Sequence, residues 1–249
     1  MKNHTKALLA ALAACTVVVA KTANAATILE SDPLNVAGLT EGDSFQLVFA
    51  TRSTTRRTTE PDGPDAATVV AFWDGLVNTA ADGSTITGLG GLEWKAIVSI
   101  TTEDAVSPET LNARDHAVVS GLVYNLNGAK VADDAADMWD GSIDNPINYD
   151  EDGDVFAVSG QARFVWTGSL SDGTAHPAHP LGNSGEALRG NVLDSDGGWL
   201  NDGSSQRRSP GDTNYVYGLS EVITIVPEPG SLALLGLGGV LIVPRRRRG

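Results

Sequence analysis

Asn148, Asp150 and Asp152 set oxygen-bearing side chains at alternate positions, and Gly153 follows them in "NYDEDGDV". Alternate oxygens can converge on a hard cation, and a glycine at the sixth position permits the sharp turn of a calcium loop. Val155 holds the eighth, usually apolar, position. The pattern predicts Ca²⁺ as the ion these three residues would ligate. Against it, the twelfth position, normally a bidentate glutamate, is Ser159, and Pro146 interrupts the helix expected ahead of the loop. The alternative is an acidic turn whose aspartates bond their own backbone.

Other chemistry-bearing residues are sparser. Asp133, Asp137 and Asp140 would share one face of a helix, but Gly141 and the aspartates themselves favour turns. Trp139, between them, reads as core more readily than as a sugar-stacking platform. His176 and His179 lie three apart in "HPAHP", a spacing metals use, yet the prolines forbid a regular helix and no third ligand accompanies them. No G-x-S-x-G elbow, H-E-x-x-H pair or phosphate loop occurs. A hydrolase therefore lacks its parts, and no catalytic residue is assigned.

The elements that must position these residues follow from periodicity. "DSFQLVFAT" (Asp43 to Thr51) alternates as a strand. The hydroxyl-rich "RSTTRRTTEPDGPD" after it reads as a solvated loop. Asp65 can cap a helix in which Val69, Phe72, Trp73, Leu76 and Val77 recur at three-four spacing to about Ala80. "LEWKAIVSI" is a strand with Trp94, Ala96 and Val98 on one face, and a short helix is expected from Ser107 with Pro108 at its first position. "LVYNLNGAKVA" predicts a hairpin, with Asn127-Gly128 in a type I′ turn. "ARFVWTGSL" and "NYVYGLSEVITIV" are the last strands. The Gly/Asp/Ser-rich stretch from His176 to Asp212 between them is either a functional loop or loosely ordered. The order gives an α+β class with an antiparallel sheet, one main helix and long loops.

Composition narrows the setting. Lys2 and Lys6, the apolar Ala7 to Ala20 and the Ala23-x-Ala25 pattern form the three parts of a secretory signal, which predicts cleavage after Ala25. "LAAC" ending at Cys15 also fits a lipoprotein signal, although the apolar run continues past it. Cys15 is the only cysteine, so a chain cut after Ala25 has no thiol for a disulfide or a metal. Between the two ends lie ten basic and thirty acidic residues, a charge near −20. Such a surface repels nucleic acid and attracts divalent cations or basic partners. At the other end, Ser231 to Val243 carry no charge, and four arginines follow after Pro244: Arg245, Arg246, Arg247 and Arg248. As a helix, Pro229 to Pro244 would reach about 24 Å, a short span of a ~30 Å hydrocarbon core, with the arginines on the cytoplasmic side.

The C-terminal order of Val226-Pro227-Glu228-Pro229-Gly230, apolar run and arginine cluster resembles the PEP-CTERM sorting signal of exported bacterial proteins. The resemblance implies recognition of Pro227, Glu228 and Pro229 by an exosortase-type transpeptidase in the inner membrane, with Arg245, Arg246, Arg247 and Arg248 as the charged stop of the motif. It also implies an exopolysaccharide-rich setting. The flanking prolines hold an extended backbone that presents one carboxylate. In the body, "LVFAT", "GLGGLEWKAIVS", "ADMWDGSIDNPINYDEDG" and "VWTGSLSDGT" resemble bacterial domains related to the endostatin and C-type-lectin-like fold, over Phe45 to Val222. That implies a scaffold used for binding rather than catalysis. The Glu-Pro-Asn, Gln-Pro-Asp and Trp-Asn-Asp tripeptides of sugar-binding C-type lectins are absent, since Leu200 interrupts "WLND". The organisation expected is a signal peptide over 1–25, a C-type-lectin-like extracellular domain over 26–226 and a sorting signal over 227–249. The protein would be held briefly in the inner membrane, then released to the cell surface or matrix. The competing functions are a secreted enzyme acting on matrix polysaccharide and an acidic structural protein that gathers Ca²⁺.

Overall fold

From Phe45 to Ala50 every residue is buried, with Phe45, Leu47 and Phe49 in one apolar cluster and Val48 and Ala50 in another. Side chains alternate across a strand, so this one (β2, Ser44–Ala50) is covered on both faces and sits at the centre of the protein. The computed structural model describes residues 26–29, 34, 36–61, 65–103, 107–155, 164–203 and 208–226. The signal segment with Cys15, Ser159, and the whole tail from Pro227 onward lie outside the described residues. The described part is mixed α and β, mostly sheet with few helices. No helix among the described residues is long and apolar enough to cross a membrane.

On one edge of β2 run β12 (Tyr217–Ser220) and β13 (Ile223–Val226), both antiparallel to it. Leu219 faces Val48 and Ile223 faces Phe45, so the three residues Ser220, Glu221 and Val222 lie opposite the two residues Gln46 and Leu47, a bulge of one residue. The far side of this long strand pairs antiparallel with β4 (Trp94–Ala96) and parallel with β1 (Ala26–Leu29). On the other edge of β2, β7 (Leu122–Asn125) is parallel and carries β8 (Lys130–Ala132) antiparallel to itself. The sheet is thus mixed rather than antiparallel throughout, which corrects the sequence expectation. A parallel neighbour needs a long crossover, and the chain between Ala50 and Leu122 supplies one.

The crossover contains the main helix, α1 (Ala66–Asp82). The Asp65 carboxylate accepts the Thr68 amide at 2.6 Å, as the sequence predicts, and Val69, Val70, Trp73, Val77 and Ala81 are buried. They pack on the sheet face that carries Phe49 and Trp94, whose rings meet edge-on at 4.6 Å. The segment after Ile97 leaves the sheet. Ile100–Thr101 (β5) pairs with Thr110–Leu111 (β6), and the one-turn helix α2 is Ala113–His116. The helix expected at Ser107 is therefore replaced by a strand, with Pro108 in its approach. In the β7–β8 hairpin only Gly128 has a positive φ, at 80°, and no non-glycine residue does. A type I′ turn needs two such residues. Instead the Gly128 amide returns to Asn125 O, and Asn125 Oδ1 caps the amides of Asn127 and Ala129.

The opposite sheet face is covered by loops around α3 (Ala135–Met138), β9 (Phe164–Trp166) and β10 (Arg189–Asn191), the last two antiparallel. Leu181, Leu188, Trp199 and Leu200 are fully buried, so much of the stretch from His176 to Asp212 is packed core. Gly190 makes this packing feasible, because a Cβ there would lie 1.9 Å from Trp199 O. A small ladder joins β3 (Thr55–Arg56) to β11 (Thr213–Asn214) and fastens the hydroxyl-rich segment to the end of this stretch.

Candidate functional site

The acidic turn hangs from the end of β2, where the Ala50 amide donates to Tyr149 O at 3.0 Å. Asp150 is buried, and its Oδ1 accepts the amides of Asp152 and Asp154 at 3.0 and 2.9 Å. Its Oδ2 lies 2.6 Å from Arg52 Nε. The same guanidinium reaches Asp152 Oδ2 at 3.2 Å and Asp154 Oδ2 at 2.6 Å. Hydrogen bonds to Asp150 and Asp154 hold Arg52 well above its ordinary range despite partial desolvation. Asp152 Oδ1 accepts the amide and hydroxyl of Thr85 at 2.7 and 3.0 Å, and the amide bond draws its carboxyl below the usual value.

Of the predicted ligands, Asp150 and Asp152 therefore meet around Arg52, joined by Asp154. Asn148 makes no side-chain hydrogen bond to any described residue, and Val155 is 51 % exposed. Both oxygens of Asp150 are committed, so a Ca²⁺ ion on these residues must displace a guanidinium already seated between three carboxylates. The predicted sorting residues Pro227, Glu228 and Pro229, and with them Arg245, Arg246, Arg247 and Arg248, lie outside the described residues.

A different acidic group converges at the β8 end. One carboxylate oxygen from each of Asp133, Asp137 and Asp144 lies within 4.8 Å of the others. Asp144, not Asp140, completes it, because the Asp144 amide donates to Val131 O at 2.9 Å and Asp140 Oδ1 is occupied by Ser142. Here too the protein supplies a cation. Lys130 Nζ lies 2.6 Å from Asp133 and 2.9 Å from Asp144, and these bonds hold its ammonium well above the ordinary value. Trp139 is 9 % exposed and stacks on Trp199 with centroids 5.9 Å apart, a core position. His176 and His179 also stack, at 5.0 Å, but His176 Nδ1 accepts the amides of Ala178 and His179, so the spacing builds a turn.

Two arrangements leave no mark in the sequence. Asp74 on α1 accepts His116 Nε2 at 2.8 Å, the Ala96 amide at 2.9 Å and Lys95 Nζ at 3.3 Å. Burial pushes the Asp74 carboxyl up, but the bonds from His116 and Ala96 and the nearby cations bring it below its usual value. The group borders a cleft of about 300 Å³ that Gln46 and Ser220 also line. A histidine paired with an aspartate can act as a base. Ser220 Oγ, however, is spent: it accepts the Leu47 amide and donates to Glu221 O.

The second is a buried pair inside the supposed solvated loop. Arg57 and Glu60 approach at 3.5 Å with side chains 1 % and 6 % exposed. Glu60 Oε1 accepts the Trp73 indole at 2.8 Å and the Gly182 amide at 3.0 Å, while Arg57 donates to Gly185 O and Asn183 O. Burial dominates both groups, lowering Arg57 and raising Glu60 against their mutual attraction. Behind this pair, Ser53, Thr54 and Thr55 border a cleft of about 360 Å³ between the end of α1 and the acidic turn, with Glu151 on its wall. Glu151 is 8 % exposed, and burial raises its carboxyl.

No protein-family model matches the chain, and the curated proteins contain no match to it.

Proposed function

We propose that the chain is an exported cell-surface or extracellular-matrix protein, sorted by its C-terminal tail, with a C-type-lectin-like body that binds rather than catalyses. The observation that carries the reading is the order of Pro227-Glu228-Pro229, an uncharged run and the arginines Arg245 to Arg248, behind a body that begins with a secretory signal. In this account an exosortase-type enzyme of the inner membrane is the partner that removes the tail, and exopolysaccharide is the surrounding material.

The binding character of the body is supported by its chemistry. Its best-placed base, His116, faces Asp74 beside a serine whose hydroxyl is already committed. Its carboxylate clusters are closed by Arg52 and Lys130. The architecture, mostly sheet with few helices and long packed loops, is compatible with a lectin-like scaffold.

The test is fractionation of cells expressing the parent and a variant with Pro227, Glu228 and Pro229 all replaced by alanine. Retention of the variant in the membrane fraction is expected, and equal release of both overturns the sorting assignment. A pull-down on matrix polysaccharide, paired with a turnover assay on the same material, tests the body. Saturable binding without product is expected, and product formation makes the protein an enzyme.

A further inference from the structure

We propose that the cleft over Glu151 is a binding site for a small hydroxylated cation of the amino-sugar class, with Glu151 as the acceptor for its ammonium group. The proposal rests on the reading of the body as a binding module and is independent of how the chain is sorted.

Glu151 is more than nine-tenths buried on the wall of this cleft. Its Oε2 accepts the Arg52 amide at 2.7 Å. Besides its own backbone amide, no other described group donates to the carboxylate, and no side-chain cation pairs with it. A buried carboxylate held by backbone amides alone is costly unless the cleft supplies a further donor. The surroundings select a cation for that role. Asp150, Glu151, Asp152 and Asp154 are consecutive or nearly so, and among the described residues Arg52 alone forms ion pairs with them. Arg52 points its guanidinium at the three aspartates and offers Glu151 only its backbone. The last turn of α1, with Thr79, Ala80 and Gly83 on the cleft, brings the negative end of the helix dipole to the same space.

The remaining lining selects hydroxyls and a ring. The side-chain hydroxyls of Ser53, Thr54 and Thr55 make no hydrogen bond to described residues and can both donate and accept. Leu76, Ala80 and Val216 form an apolar floor. A volume of about 360 Å³ is at the small end of ligand clefts, enough for one sugar ring and not for an extended chain.

The experiment titrates the full-length protein with glucosamine, glucose and N-acetylglucosamine at or just below neutral pH, by calorimetry. Glucosamine is expected to bind saturably, and the two uncharged sugars about tenfold to a hundredfold more weakly, the worth of one hydrogen bond to a charged group. Glu151→Gln keeps an acceptor for the Arg52 amide and is expected to weaken glucosamine by about the same factor. Thr54→Lys, at the exposed rim, supplies an ammonium from the protein itself and should remove the binding without touching Glu151. Circular dichroism of both variants reports folding. Equal affinity for glucose and glucosamine, unchanged affinity in Glu151→Gln with the fold intact, or no saturable glucosamine binding by the parent overturns the proposal. Polysaccharide capture by a parent protein that does not bind glucosamine saturably keeps the module reading and removes this site alone.

Discussion

Arg52 Nε sits 2.6 Å from Asp150 Oδ2, and through that contact the guanidinium occupies the centre of a turn whose sequence calls for a metal. The fork geometry of arginine lets one side chain answer three carboxylates at once, which a point-charge lysine does less well. Replacing Arg52 by alanine is expected to lower the melting temperature and to make it rise again with millimolar Ca²⁺. The parent should respond little. Thermal unfolding of both proteins with calcium and with chelator checks this, and a parent that gains as much as the variant argues for a native calcium loop.

A second prediction concerns acid. The folded-state value of Asp74 lies below its ordinary 3.8, so its stabilisation is present above that pH and is lost as pH falls through and below it. Asp74→Asn should cost about 1.5–3 kcal/mol near neutrality, the range for hydrogen bonds to a charged group. The gap between variant and parent should begin to narrow below about pH 4 and close only well below the lowered Asp74 value, where both carry an uncharged group. Urea melts at several pH values measure it, and a gap independent of pH assigns the loss to packing instead.

The buried pair gives a third. Arg57→Ala leaves Glu60 without its cation and Asn183 and Gly185 without their donor, and breaking a buried pair in this way costs about 3–5 kcal/mol. Arg56→Ala, at the exposed neighbour, should change stability by no more than about 0.5 kcal/mol. Chemical denaturation of the two variants side by side decides whether the segment is solvated or structural.

The fourth tests the packing of the long loops. Gly190→Ala drives a methyl group into the Trp199 carbonyl, a backbone atom that cannot swing aside. A loss of about 3 kcal/mol is expected, with Trp199 fluorescence altered in the folded state. An alanine tolerated at parental stability means that β10 and the Trp199 turn lie further apart than described.

What the sequence displays is local. The alternation in β2, the Asp65 cap and the three-four spacing in α1 each arise within one element, and each is found where periodicity puts it. What it conceals is pairing at a distance. Arg52 meets Asp150 from 98 residues away and His116 meets Asp74 from 42, and neither residue type advertises its partner. Arg57 is hidden for a related reason: among hydroxyls and charges its neighbours suggest solvent, while in the fold it packs over the Trp166 ring beside Glu60. The Asp133 group is half visible. Asp144 joins it only because the chain after the β7–β8 hairpin folds back on Val131. Parallel pairing of β2 with β7 is likewise a property of the crossover, not of either strand's composition.

The parallel alignment of β1 with β13 gives the body a mechanical character. Any pull arriving through the chain beyond Val226 enters along the axis of β13, which is gripped by β1 on one side and by β2 on the other. Tension in that direction shears both ladders together instead of peeling one bond at a time. A body hauled by its carboxyl end is thus loaded where it is built to hold.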